Sequence, residues 1–399
     1  MGTFLRGFWG LLVGACLAGA ETKPTIKFQR HRLDLLEGDY VACGVARIGG
    51  SQGLDFVVGG GRGIKQLLWY EYPQWKKYVI AEGISDYGVG CAVADVDSDG
   101  HPDVIISEQK PQPGLVWYRS PKDPRTGQWE RFIIKPGDWV HDIVWTEMTQ
   151  PDGRRARGIV TEWKRRVITW FAIPSDPTKP WPEVVLNNMG AMYEGTAIGN
   201  LAGRGRPDIV CAGSWYEAPT NAQCGEWKRH RISSFRNLCR AGVGDFNGDG
   251  RLDIVLVESE YVDGHLAWYE APNDPVGQQW KEHRLNHGDL YFAHTLGVAD
   301  FDGDGRPDIL VGEMGQGGYH AAPPSHPPRL MVYRNDGNGC FTPYVINHGE
   351  GIHEGIVADI NGDGRPDVIG KNALYRQEDP PHKINPTNVD WWENLCAAR

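Results

Sequence analysis

The sequence predicts an all-β chain folded as a seven-bladed β-propeller of four-stranded blades, with the last blade closed by the N-terminal strand. Three observations carry this. An Asp-rich loop motif recurs along the chain, and each copy sits among four short strand signals. A strand-four signature also stands alone at the N-terminus, ahead of the first full unit, while the C-terminal unit lacks one. Repeats at this spacing read as one closed array, so 399 residues need not be several domains.

The motif is clearest from Asp95 to Asp103, where Asp95, Asp97, Asp99 and Asp103 precede the apolar run Val104-Ile105-Ile106. It returns from Asp245 to Asp253, from Asp300 to Asp308 and from Asp359 to Asp367. Degenerate copies run from Arg47 to Asp55, Glu147 to Arg157 and Asn200 to Asp208. The motif ends are therefore 45 to 59 residues apart, a propeller-blade spacing.

Within each unit, strand one precedes the loop (Thr295 to Ala299) and strand two follows it (Ile309 to Val311). Strand three carries a Trp/Tyr pair, as in Trp69-Tyr70, Trp117-Tyr118 and Trp268-Tyr269, which reads as packing between blades. Strand four often reads Trp-Lys-x-His-Arg followed by an apolar residue, as in Trp227 to Ile232 and Trp280 to Leu285. Gly, Pro, Asn and Asp turns separate these runs. Phe28 to Leu33 matches strand four, and Ile356 to Ala358, Val368-Ile369 and Val389 to Trp392 supply strands one to three at the other end. Pairing the two termini in one blade covers an edge that would otherwise stay open.

Residues 1–20 read as an export signal: Arg6, an apolar run from Phe8 to Leu17, and a small-residue cleavage site at Ala18-Gly19-Ala20. The propeller then occupies 21–399, in a secreted or periplasmic protein. Val13-Gly14-Ala15-Cys16 also fits a lipoprotein box, with Cys16 as the anchor. No later segment is long and apolar enough to be transmembrane. A net charge of −10 makes nucleic acid a poor partner. Seven cysteines follow the signal, without metal-ligand spacing, and Cys43, Cys91 and Cys211 fall in apolar strands as buried thiols.

Alternating oxygen ligands over a glycine turn suit Ca²⁺, which takes hard oxygens. The expected ligands are Asp95, Asp97, Asp99 and Asp103; Asp245, Asn247, Asp249 and Asp253; Asp300, Asp302, Asp304 and Asp308; and Asp359, Asn361, Asp363 and Asp367. The three degenerate loops lack this set, and Arg204 would repel a cation. These repeats resemble the FG-GAP/VCBS calcium-loop propeller repeat over nearly the whole chain after the signal. The resemblance implies the propeller fold and structural calcium.

Six residues before each Asp loop, the seven strands carry Val41, Val89, His141, Glu194, Cys239, His294 and His353. The next position adds Asp142, Arg240 and Glu354. This level rims one mouth of the central channel, and strand two returns to it, ending in Glu108, Glu162, Glu258, Glu313 and Lys371. His141, Glu194, Arg240, His294 and His353 are the candidate catalytic residues. Trp139, Tyr193, Tyr291, Glu313, Glu354 and Lys371 are the candidate substrate contacts. Convergent neutral imidazoles could hold Zn²⁺ or another divalent transition metal; alternatively they carry protons beside Arg240.

The run from His294 to Gly305, followed by Gly312-Glu313-Met314, resembles the propeller of aldos-2-ulose dehydratases, and less closely that of polysaccharide lyases. The cupin domains of those dehydratases have no counterpart in this chain. The resemblance implies β-elimination on a carbohydrate, a carbon–oxygen lyase reaction. A non-catalytic module binding carbohydrate or protein is the rival from another class.

Overall fold

A computed structural model describes residues 25–396 except 39, 62–64, 84, 111–113, 138–139, 151, 164–166, 189–193, 223, 237, 287, 315, 318–319, 322–324 and 373–385. The segment read as an export signal lies outside them. The described residues form seven four-stranded antiparallel sheets and one short hairpin, with no helix. In blade 1 the strands run Tyr40–Ala46, Asp55–Gly60, Gln66–Glu71 and Lys76–Glu82, from channel to rim. Blades 2 to 6 repeat this order, and their inner strands are Ser85–Ala94, Val140–Thr149, Thr196–Gly199, Cys239–Gly244 and Thr295–Ala299. Each inner strand touches the next around a full circle, closing the ring between His353–Ala358 and blade 1.

Blade 7 takes Phe28–Leu36 as its outer strand, paired antiparallel with Thr387–Asn394 so that His31 faces Trp391 and Arg30 faces Trp392. Asp390, almost fully buried, accepts from Arg30 Nη2 at 2.9 Å and from Arg32 Nε at 2.6 Å. The seam between the termini thus joins by backbone ladder and by charge.

The apolar core is divided among the blades. Seven clusters form, one between each pair of neighbouring sheets. The strand-three tryptophans Trp69, Trp117, Trp170, Trp215, Trp268 and Trp392 lie fully buried in them. On the strand-four side, rings stack on those indoles: His230 on Trp215 at 4.3 Å and His283 on Trp268 at 4.0 Å between centroids.

The apolar residue that ends the strand-four signature has a defined job. Leu33, Ile80, Ile134, Leu186 and Ile346 are each the extra residue of a one-residue bulge against strand three. A bulge lets that side chain turn inward while its neighbour stays out: Ile134 is buried and Ile133 exposed.

The ninth position of the Asp loop is a staple. Asp103 accepts from Val96 N at 2.9 Å and Ser120 N at 2.8 Å, fixing the loop to the end of strand three. Asp253, Asp308 and Asp367 make the same pair of bonds. So do Asp55 and Asp208, in loops without the other acids. This role is therefore separate from any ion. Asp208→Ala leaves the amides of Ala202 and Ala218 without their acceptor; at about 1–3 kcal/mol per buried unpaired group, urea unfolding should show a loss of about 2–6 kcal/mol. A loss under about 1 kcal/mol would contradict the staple.

Candidate functional site

Four inner strands lose register at the channel mouth: between Tyr40 and Ala42, Tyr87 and Cys91, Val140 and Ile143, and His353 and Ile356. Such irregularities re-aim side chains. Consecutive residues enter one cluster as a result: His141 with Asp142, and His353 with Glu354. Glu354 adopts φ 55°, a left-handed conformation costly for a residue with a Cβ. Its carbonyl accepts from the Cys43 thiol at 2.6 Å, and the next amide, Gly355 N, donates to Thr295 Oγ1 at 2.9 Å.

The three aligned histidines converge. The His294 and His353 rings stack at 4.3 Å, and His141 lies 6.2 Å from His294 between centroids. Arg240 sits among them, buried, with Nη1 3.1 Å from Asp142 and Nη2 2.8 Å from His294 Nδ1 and ion-paired to Glu354. Asp142 also accepts from His141 Nδ1 at 2.7 Å and from the amides of Gly195 and Thr196 at 2.8 and 2.9 Å. Only glycine fits at 195, since a Cβ there would fall 2.0 Å from the Cys239 carbonyl. Lys371 donates to His353 Nδ1.

Burial alone would raise the Asp142 carboxyl; the Arg240 charge and the His141 hydrogen bond outweigh it and hold it well below the usual range. Burial, then Arg240, pushes His294 well below the ordinary imidazole value. Burial, then Lys371, does the same to His353. Beside the cluster the channel encloses a cavity of about 230 Å³, lined by residues from all seven inner strands, among them Asp142, Arg240, His294 and Glu354.

Not every aligned residue joins. Glu108, Glu258 and Glu313 each turn to an arginine: Arg131 at 2.6 Å, Arg236 at 2.7 Å and Arg329 at 2.8 Å. Glu313 is fully buried there, also bound by His326 and the Tyr291 amide, and Tyr291 stacks on His326 at 4.0 Å. These two expected contacts belong to the wall of blade 6. Trp139 and Tyr193 lie outside the described residues. One member, Glu260, escaped the sequence reading, and Glu162 entered it only among the strand-two ends. Glu260, on the loop after strand two of blade 5, reaches His294 Nε2 at 2.9 Å. Glu162, buried, accepts no hydrogen bond of ordinary geometry and has His141 Nδ1 4.0 Å away. Burial raises both carboxyls, most strongly Glu162, beside Asp142 and Glu194. Glu162 was visible only as the end of a strand, and Glu260 lies off the aligned columns.

At the opposite ends of the inner strands the Asp loops gather their acids. Asp95, Asp97 and Asp99 bring one oxygen each within 4.8 Å of the others, as do Asp300, Asp302 and Asp304. Asp97 Oδ1 and Asp302 Oδ2 are buried without a hydrogen-bond partner. Buried, unpaired carboxylate oxygens facing further carboxylates fit a hard cation. The following blade latches each loop. Asn335 donates to the Phe246 carbonyl and Asn394 to that of Phe301, both at 2.9 Å; Leu54 N donates to Ile360 O at 2.8 Å, and Arg157 to Asp95 O at 3.0 Å.

Removing Arg240 leaves Asp142, and Glu354 at the edge of the channel, without their cation. Arg240→Met should cost about 3–5 kcal/mol in urea unfolding, as for a broken buried ion pair; a neutral substitution would show the pairing to be dispensable.

Comparisons with known proteins agree with this architecture. The family model of the FG-GAP-like repeat matches residues 245–311 and 320–370. The rhamnogalacturonan endolyase YesW of Bacillus subtilis (strain 168) is 26% identical over 145 residues, 34% of this chain; the match spans only 20% of that enzyme's length. The crystal structure of BBS1N in complex with ARL6DN, soaked with lead, aligns with TM-score 0.53 and 11% identity over 94% of this chain and 98% of that one. The mercury-soaked crystal of the same complex gives 0.53 and 10% over 93% and 97%. At such identity the likeness is one of fold. The chain is a seven-bladed β-propeller, and its residues 245–311 and 320–370 match the FG-GAP-like repeat.

Proposed function

We propose that this chain is an exported, calcium-binding, carbohydrate-directed lyase that works by β-elimination in the central channel, at the histidine cluster. The observation that carries the reading is Arg240, a buried guanidinium between carboxylates that lines a polar channel. Elimination beside a carbonyl or carboxylate builds negative charge on its oxygens, and a fixed cation in a water-poor site stabilises that charge. The similarity to an endolyase over a third of the chain supports the same chemistry, as does the dehydratase resemblance of the motif at His294.

The imidazoles are 2–7% exposed and lie deep, whereas the Glu354 side chain is 20% exposed and lines the channel. Glu354 is therefore the proton acceptor in this reading. Without substrate it is paired with Arg240. A substrate anion drawn to the guanidinium competes for it, releases Glu354 and raises its basicity. Glu354 then takes the proton next to the carbonyl, the electron pair forms the carbon–carbon double bond, and the β-oxygen leaves with a proton from solvent. A channel of about 230 Å³ is smaller than most drug-sized pockets, so one sugar unit, not a polymer strand, fits at the reacting point.

The test is to incubate the protein with aldosuloses, anhydrofructose and uronate oligomers and follow the ultraviolet absorbance of a new unsaturated carbonyl. One member of the panel should yield product, and Glu354→Gln should slow it at least ~100-fold, as for loss of a general base. Folded protein inert toward the whole panel would overturn the lyase reading in favour of a carbohydrate-binding propeller.

Calcium in this reading sits in the four acid-complete loops, on Asp95, Asp97 and Asp99, Asp245, Asn247 and Asp249, Asp300, Asp302 and Asp304, and Asp359, Asn361 and Asp363, with the ninth carboxylates alongside. An ion bound only by the folded state stabilises it by linkage, about 2.7 kcal/mol at a hundred times Kd. Chelation with EGTA should lower the melting temperature, and calcium should restore it; a transition unmoved after prolonged dialysis would refute the assignment.

A further inference from the structure

We propose that one strand-three residue in each acid-complete blade tunes the calcium affinity of its own Asp loop. Arg119 and Arg334 weaken the all-aspartate loops of blades 2 and 6, and Glu270 and Glu393 strengthen the loops of blades 5 and 7, where an asparagine replaces one aspartate. The proposal rests on the calcium reading above and is separate from the lyase reading.

The position is the same in all four blades. The tenth residue of the loop pairs with an aromatic of strand three: Val104 with Tyr118, Ile254 with Tyr269, Ile309 with Tyr333 and Val368 with Trp392. The next residue of strand three is Arg119, Glu270, Arg334 or Glu393, beside the ninth carboxylate of the loop. Its charge goes with the third position of the loop. Where that position is Asp97 or Asp302, the strand carries arginine; where it is Asn247 or Asn361, the strand carries glutamate.

The contacts connect the two positions directly. Arg119 Nε lies 2.7 Å from Asp97 Oδ2. Arg334 is buried within electrostatic reach of Asp302, itself 1% exposed. Each guanidinium therefore competes with an ion for the third ligand. In blade 7 the contact is reversed in sign: Asn361 Nδ2 donates to Glu393 Oε1 at 3.3 Å, which brings a carboxylate to the loop where asparagine has removed one. Glu270 takes this place in blade 5 and, like Glu393, is backed by a strand-four histidine at 2.8 Å, His283 for the one and His31 for the other. Calcium loops set their affinity largely by the charge gathered at them, so one added or removed charge counts.

Two degenerate loops show what a carboxylate at this position attracts. In blade 4, Asn200 still accepts from Gly205 N at 3.0 Å, as Asp359 does from Gly364 N at 2.9 Å, so the loop keeps its turn. Its fifth residue is Arg204, whose guanidinium bonds Glu217 at the strand-three position. In blade 1 the same position holds Glu71, and Arg125 of blade 2 reaches it, with Nε 3.0 Å from Oε1 and Nη2 2.7 Å from the carbonyl of Gly49, the third residue of that loop. Where the acids are missing, a guanidinium is built in beside the strand-three carboxylate. In blades 5 and 7 the fifth residue is Asp249 or Asp363, and a bound ion is the cation that the carboxylate favours.

The test is calorimetric titration of chelator-stripped protein with Ca²⁺, at about 0.1 M and about 1 M salt. Four ions should bind. Arg119→Gln should tighten one of them about tenfold, and Glu393→Gln should weaken another about tenfold, as for one charge changed near an ion. Both shifts should shrink in the higher salt, where the charges are screened. Damage to the fold weakens binding, so tightening by Arg119→Gln reports charge and not structure. Glu71→Gln, at the same position of the degenerate blade 1 loop, should leave all four affinities unchanged. Four ions bound with wild-type affinities in both variants, or shifts of the same sign, would overturn the tuning and leave the calcium reading standing. Folded wild-type protein that binds no calcium would overturn both.

Discussion

A ring of seven sheets has no common core, so everything rests on how one blade grips the next. Apolar clusters supply most of the contact, but they are slippery and could pack at several offsets. The Asp loops fix the offset. Each complete loop is held within its own blade by its ninth carboxylate and is gripped by the next blade through one hydrogen bond to a carbonyl at its start. In blade 3 the register puts Gly158 at the ninth position, and Arg157, just before it, reaches back to the preceding loop.

That rigidity makes the channel cluster tenable. Asp142 alone joins three blades, through His141 on its own strand, the Gly195 and Thr196 amides of blade 4 and Arg240 of blade 5. Glu354, strained and bonded through its carbonyl to Cys43 of blade 1, ties blade 7 to blade 5 through Arg240. Gathering five acids, two cations and three imidazoles here is tolerable only with opposite charges paired in fixed geometry, and Glu162, both of whose oxygens lack a hydrogen-bond partner, is the exception. The level of this cluster is consequently the part of the ring where blade placement matters most.

Much of this was legible in the sequence. The loop motif, the strand-three indoles and the stranded His-Arg-Leu at the N-terminus predicted seven blades and the seam, because repeats write the same physics several times. The convergence of His141, Glu194, Arg240, His294 and His353 followed from counting back along strands of one register. Counting fails where register fails. Inner-strand bulges at Val140 and His353 decide which consecutive side chains enter, and no repeat position announces them. Glu260 lies on a loop, outside any column. The strand-two ends looked alike in sequence, but Glu108, Glu258 and Glu313 stand one residue further along than Glu162 and Lys371, so alternation turns them to the other face, where Arg131, Arg236 and Arg329 hold them.

The outer-strand bulges reach beyond the ring itself. Seven blades end in seven free strand edges, each offering unpaired amides and carbonyls to any passing chain. In five blades a single inserted residue, from Leu33 to Ile346, breaks the edge's regular spacing, and in blades 4 and 5 the outer strand stops after four residues. A second copy that tried to extend the sheet would meet bonding groups out of step with its own. The same apolar side chain that closes each blade's core therefore guards against fibril growth, and replacing it with a residue that restores flat pairing would trade a small gain in regularity for a sticky rim.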